Sequence, residues 1–198
     1  MCSSDLDMLG VKYRYISNYP GSAEARLAVE RNEVQLYTES VSTYRAAIEP
    51  SIIRSGLAIP LWVDPMDDGE KFYDAPEAQG IPVRTYPEFY KEVKGTLPTG
   101  IEWEAWRTSN FLGSILMRTL VLPPGSPKQA QQTLQASIAS MTRDPEFIAD
   151  AMKTMQFVPR YVMDDASEKL FQKVLNPEPR IKDFIAAYIE KGRASLGK

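Results

Sequence analysis

The sequence has 198 residues, 43% of them hydrophobic and 25% charged, with 23 Lys and Arg against 26 Asp and Glu for a formal net charge of -3. That is the composition of a globular protein of one or two domains, and it leaves no basic excess to neutralise a phosphate backbone or coat an anionic membrane, so nucleic acid is excluded as a partner. The longest apolar stretches, around Leu57 to Val63 and Ile115 to Leu122, are interrupted and far shorter than the roughly 20 residues that cross a bilayer.

Met1 to Leu6 reads as an appended scar. Cys2-Ser3-Ser4-Asp5-Leu6 is what a common sequencing-adapter end spells in translation, and it precedes Asp7-Met8-Leu9-Gly10-Val11-Lys12, which has the character of a strand entry in mid-domain. The expectation is a gene that runs further upstream and carries a secretory signal, which this text lacks; a natural short N-terminus is the alternative. With that segment set aside the chain has neither cysteine nor histidine. A Cys/His zinc site, a thiol nucleophile and a Ser-His-Asp arrangement are then excluded, and no metal or cofactor is expected. Cysteine avoidance also suits export through an oxidising compartment.

Val11 to Ile16 is rich in β-branched and aromatic residues and predicts a strand, closed by the turn Asn18-Tyr19-Pro20-Gly21. Ser22 is a good N-cap for the helix that follows, with Glu24 in its first turn, an apolar face of Ala25, Leu27, Ala28 and Val29, and an end at Arg31-Asn32-Glu33. Val34 to Tyr37 predicts a second short strand. Thr38 to Ser42 is a polar turn into a helix through Tyr44, Ala47 and Ile48, and Pro50 opens a further helical piece that Ser55-Gly56 stops. Strand, helix, strand, helix is an α/β signature. Leu57 to Val63 has the near-continuous apolar character of a strand buried on both faces, with Pro60 placing it at an edge or irregular position.

Asp64 to Gly80 turns to Asp, Gly, Glu and Pro. Its cluster of Asp64, Asp67, Asp68 and Glu70 lacks the EF-hand spacing and closing Glu, so it is read as a solvated loop. A short helix is predicted from Tyr86 to Val93 and a strand from Gly113 to Leu122. Pro123-Pro124-Gly125-Ser126-Pro127 then puts Ser126 at an N-cap and Pro127 at the first position of a helix faced by Ala130, Leu134, Ile138 and Met141. Asp144-Pro145-Glu146-Phe147 repeats the device for a helix through Met152. A strand at Phe157 to Val162 and amphipathic helices at Ala166 to Leu175 and Ile181 to Leu196 complete the chain.

Three of these segments carry a family resemblance. Leu9 to Lys12 leading to Tyr19-Pro20-Gly21-Ser22-Ala23-Glu24 and then Leu27 to Val34 resembles the strand, Tyr-x-Gly turn and helix of the substrate-binding proteins of tripartite tricarboxylate transporters, the TctC/Bug family. Arg118 to Pro127 is similar to that family's strand into a Pro-x-Gly-x-Pro turn, and Asp144 to Phe147 to its Asp-Pro-Glu-Phe helix start. The segments come in the family's order and cover almost all of the chain from Leu9 onward. Asn32 departs from a usual Gly, and Asp64 to Trp106 is longer than the family pattern. The resemblance implies an α/β, type II periplasmic-binding-protein-like fold of two lobes with the first lobe incomplete. Residues 7–63 would belong to lobe two, 64–122 would form a loop and crossing segment, and 123–198 the helix-rich C-terminal part of lobe one. It further implies a monomeric periplasmic receptor with no catalysis, which hands a small carboxylate to membrane transporter subunits.

The physics of such a site is that of strand-to-helix junctions. A helix N-terminus offers unpaired N–H groups and about half a positive charge, so it holds a carboxylate without a cationic side chain. At the first junction Gly21 lets backbone approach the ligand, Ser22 and Ala23 supply amides and a hydroxyl, and Tyr19 stacks or donates; Glu24 competes with an anion unless it points away. Thr38, Ser40 and Ser42 are expected to line the same cleft at the second junction. The plain alternatives are a tight turn at Gly21, a cap at Ser22 and a ligand-free hydroxyl cap at Ser40. Arg118 either pairs with a ligand carboxylate or with a neighbouring acid, and Trp103 and Trp106 either pack beneath the long loop or face a cleft. Rival functions are a ligand-sensing partner of a signalling system, and an enzyme using Glu102 and Glu104, read as an extended pair pointing the same way, as acid and base.

Overall fold

Capping chemistry fixes where three of the helices begin. In the computed structural model, which describes residues 2–16, 19–67, 72–114, 119–159, 161, 163, 172 and 175–196, helix α1 spans Cys2–Leu9, α2 Ser22–Glu30 and α3 Val41–Thr43, which continues as a π-helix over Tyr44–Ile53. α4 is Tyr86–Lys94, α5 Gly100–Ser114, α6 Lys128–Met141, α7 Pro145–Met155 and α8 Pro179–Leu196. Thr85 and Glu88 close α4 with a reciprocal capping box, and the Asp144 carboxylate accepts the Glu146 amide at 2.9 Å to open α7. α6 starts one residue later than its sequence suggests, with Pro127 itself as the cap.

α2 stops at a left-handed residue. Asn32 has φ of 57°, and the Glu33 amide reaches back to the Ala28 carbonyl at 2.8 Å. Asn is the side chain that tolerates this conformation best after Gly, because its short amide bonds locally.

Pro50 lies inside the helix that it was expected to open. A proline lacks its N–H and crowds the carbonyl four residues back, which breaks an α-helix. The wider i→i+5 pattern accommodates it here, as in the Arg54 amide bonding to the Glu49 carbonyl at 3.0 Å. Ile48 and Ile52 bury the inner face, and the chain leaves through Gly56 at φ 75°.

Regular β-structure is confined, among the described residues, to two-residue bridges. β1 (Trp62–Val63) pairs in parallel with β4 (Arg84–Thr85), and β2 (Met66–Asp67) pairs antiparallel with β3 (Phe72–Tyr73). The expected strands at Val11–Ile16 and Val34–Tyr37 are irregular, since neither finds a neighbour to complete its ladder and Tyr15 and Leu36 are exposed. Leu57–Val63 is ordered as a strand only at its end, and Ile59 stands 77% exposed instead of buried on both faces. The strand expected from Gly113 is replaced at its start by the end of α5, and Leu120 to Leu122 form no element. Phe157 to Pro159 are likewise irregular. Arg160, Val162 and most of the helix expected at Ala166–Leu175 lie outside the described residues.

The acidic loop is partly folded inward. Asp67 is 2% exposed and takes a bidentate pair from Arg107 on α5 at 2.6 and 2.7 Å, while that guanidinium sits 4.9 Å over the Phe72 ring. Asp68 and Glu70 lie outside the described residues.

These bridges feed an aromatic core. Tyr86 on α4 is fully buried, 5.0 Å from Trp106 between ring centroids, and Trp106 stacks on Trp103 at 4.7 Å with their planes 14° apart. Leu9 of α1 completes the buried cluster, with Trp62, Phe72 and Phe89 packed around it. α1 packs on α4 and α5, and α5 on α8, where Arg180 grips Glu104 and Ile181 is buried. The segment read as a scar thus supplies buried Asp5 and Leu6, and Asp5 bonds to Tyr86 and Trp106 of the aromatic core.

Candidate functional site

A cavity of about 320 Å³ opens between the start of the π-helix, β1, α1 and α5, within the size range of small-molecule sites. Thr38 and Ser40 enter it from the loop before α3, Trp62 and Asp64 from β1 and the residue after it, Ser109 and Asn110 from α5, and Asp5 from α1. Two of these are placed by hydrogen bonds to backbone. Ser40 caps α3, its hydroxyl accepting the Thr43 amide at 3.3 Å, and Asn110 anchors the chain beyond β1 by donating to the Pro65 carbonyl at 2.9 Å.

Asp5 is the most unusual group in this wall. It is 3% exposed, its Oδ1 accepts the Trp106 indole N–H at 2.5 Å, and the Trp62 side chain is a second donor. Burial, and then the neighbouring Asp64 carboxylate, raise its carboxyl to about 7 against the opposing pull of the two indoles. Asp64 keeps an exposed surface, but that surface opens into the cavity, and the protein crowding around it raises its carboxyl to about 6. Two carboxyls thus share the cavity, and near neutrality at least one of them holds its proton part of the time.

The two predicted junctions lie side by side but contribute differently. Tyr37 donates to the Ser22 carbonyl at 3.4 Å and to Glu39 at 2.6 Å, while Glu39 accepts the Ser40 amide at 2.9 Å and lies 3.8 Å from Arg26. Burial, followed by the Glu39 carboxylate, pushes the Tyr37 phenol up to about 12. Thr38 and Ser40 line the cavity, with the Ser42 hydroxyl 3.4 Å behind Ser40. Tyr19, Gly21, Ser22 and Ala23 do not line it; Gly21, Ser22 and Ala23 are exposed and Tyr19 is half-buried. Gly21, and not Ser22, occupies the N-cap of α2, with φ of -163°, an extended conformation open to any residue. Glu24 does not point away: its Oε2 lies 3.0 Å from where a Cβ on Gly21 would stand, so a carboxylate already faces that helix terminus. Asn18 and Arg118 lie outside the described residues.

Glu102 and Glu104 are on helix α5, where residues two apart point about 200° away from each other. Glu104 is held by Arg180, and Glu102 borders a different cavity. That second cavity, about 460 Å³ between α1, α5 and α8, is larger and sets Glu102, Ser109 and Lys191 among Met8, Ala105, Phe184 and Ile185. Its polar groups also include Asp7, which accepts the Tyr188 hydroxyl at 2.6 Å. The smaller cavity is the one lined by both carboxyls of raised proton affinity, Asp5 and Asp64.

Trp106 satisfies both readings of its sequence position, since its ring packs in the core and its indole N–H reaches the cavity wall. Asp5, Asp64, Ser109 and Asn110 were not expected. The 3–4 spacing of Trp103, Trp106 and Asn110 is a helical stripe that would have revealed α5. Among the described residues no group of three carboxylates or other ligands is arranged to hold a metal, and no helix is long and apolar enough to cross a membrane. No family model, curated protein or solved structure matches the chain.

Proposed function

We propose that this chain is the cleft-bearing part of an extracytoplasmic solute-binding receptor of the TctC/Bug kind, which captures a small carboxylic acid and delivers it to a tripartite tricarboxylate-type membrane transporter. The observation that carries the reading is that Thr38 and Ser40, singled out for their hydroxyls at a strand-to-helix junction, stand in the wall of a ligand-sized cavity beside two carboxyls whose proton affinity burial has raised toward neutrality. The order of the three resembling segments supports the same assignment. On this reading the protein is periplasmic and monomeric, has the two-lobed α/β architecture of type II binding proteins, and performs no chemistry on its ligand. The exposed segments Val11–Ile16 and Val34–Tyr37 are then the positions at which lobe strands pair.

Hydroxyls and a protonated carboxyl grip a carboxylate by donating to its oxygens, and charge-assisted bonds of this kind are about twice as strong as neutral ones. A ligand present at 100 times its Kd stabilises its receptor by about 2.7 kcal/mol, which for a chain of this size raises Tm by about 5 to 10 °C. Thermal unfolding followed with succinate, citrate and benzoate in turn is expected to show such a rise for at least one of them, and Ser40→Ala with Thr38→Val is expected to remove most of it. A flat response to all three acids at every pH would sink the proposal.

A further inference from the structure

The cavity is walled by acids and, among the described residues, by no Lys or Arg. Asp5, Asp64, Glu39 and Glu77 all reach it, while three nearby arginines are engaged: Arg26 with Glu39, Arg45 with the Glu77 and Gln79 carbonyls, and Arg107 with Asp67. The chain's N-terminal ammonium draws Asp5 and Asp64 toward ionisation, but burial outweighs it at both, and an anion entering among these acids meets repulsion unless a proton comes with it. Burial of Asp5, with the Asp64 carboxylate beside it, retains one against the pull of its indole donors. From β1 and α5 it faces indole N–H groups, from the residue after β1 it faces Asp64, and from α4 the buried Tyr86 donates to its carbonyl at 3.0 Å with Tyr90 beyond. On its own helix Asp7 is turned to the Tyr13 and Tyr188 hydroxyls.

We propose that the Asp5–Asp64 pair makes capture proton-linked, so that the cavity takes up one proton with each small carboxylate and releases the acid when both carboxyls ionise. The inference rests on the carboxylic-acid reading of the cavity given above. The proton comes from solvent, sits in an O–H···O⁻ bond between the pair and the ligand carboxylate, and returns to solvent on release; no covalent bond changes. Burial has already brought both carboxyls of the empty cavity to about 7 and about 6, and a ligand's negative charge beside them shifts both further upward.

The test is calorimetric titration of the full chain with benzoate and with succinate, both ionised at neutral pH, in two buffers of different ionisation enthalpy. About half a proton is expected to be taken up per acid bound at about pH 7, rising to about one at about pH 8 where the empty pair is ionised, with affinity falling about fivefold between the two. Asp5→Asn is expected to flatten that dependence; Asp64→Asn serves the same purpose should the buried substitution fail to fold, and the proton count on the unaltered chain needs no variant. Acid binding without proton uptake and without pH dependence would overturn the inference and leave the carrier reading standing. Failure of both acids at either pH, with or without putrescine binding that strengthens as pH rises, would overturn both.

Discussion

Between about pH 4 and about pH 7 the folded protein is expected to lose about 4 kcal/mol of stability, and Asp5→Asn is expected to abolish most of that loss. The folded chain holds the Asp5 carboxyl at about 7 against its ordinary 3.8, which at 1.36 kcal/mol per tenfold change in proton affinity comes to about 4 kcal/mol. The sign follows from proton linkage. Over this interval the unfolded chain has released its proton and the folded chain has not, so stability falls as pH rises through the interval and levels off above it. At 3% exposure little solvent screening reduces the effect. Asp64 acts in the same direction but less, being open to the cavity. Glu88 acts oppositely: its bonds from Thr85 lower its carboxyl, and since it is exposed its share is small. Asn keeps an oxygen for the two indoles and cannot ionise. Denaturant midpoints measured across this range for both proteins check the difference; parallel profiles would show that Asp5 ionises as freely folded as unfolded.

The second large effect is at Arg107. Replacing it with Ala leaves the buried Asp67 carboxylate without its bidentate partner, a loss of about 3 to 5 kcal/mol, or a Tm lower by about 6 to 20 °C. The combined change Arg107→Met with Asp67→Leu removes both charges and is expected to recover most of the loss, because two desolvated ions replaced by apolar groups of similar size are often neutral. A single variant that melts with the parent would mean that the β2–β3 bridge does not depend on this pair.

The parts of the fold legible in the sequence are those fixed by neighbours in the chain. Asp144, which accepts the Glu146 amide, and the Thr85–Glu88 pair fix helix starts through bonds spanning at most three residues, and the starts expected at Asp144 and near Tyr86 are found there. Strands depend on partners elsewhere. Val11–Ile16 has the composition of one, yet no described segment pairs with it, and composition alone carries no information about that. α5 was hidden by the weak helix propensity of Trp, Thr, Asn and Phe, which tertiary packing overrides. Pro50 misled in the opposite way, because a π-helix can carry a proline that an α-helix cannot.

The site divides along the same line. Thr38 and Ser40 were found because hydroxyls before a helix are a local signal. Asp5 was invisible for two reasons: its segment looked foreign to the protein, and its partner Trp106 is 101 residues away. Asp64 and Asp67 were read as one solvated cluster, although one opens into the cavity and the other is buried on Arg107. Burial that changes a carboxyl's proton affinity is a property of the assembled core, not of the acidic run that contains it.

The indole N–H signals of Trp62 and Trp106 report directly on whether the cavity beside them is a carboxylate site. In ¹H–¹⁵N spectra of the chain titrated with succinate, citrate and benzoate in turn, both indole signals and the backbone amides of Thr38 and Ser40 are expected to move along one saturation curve for the acid that binds. Spectra in which these four signals stay fixed, while residues around Phe184 and Tyr188 respond or nothing does, would contradict the account.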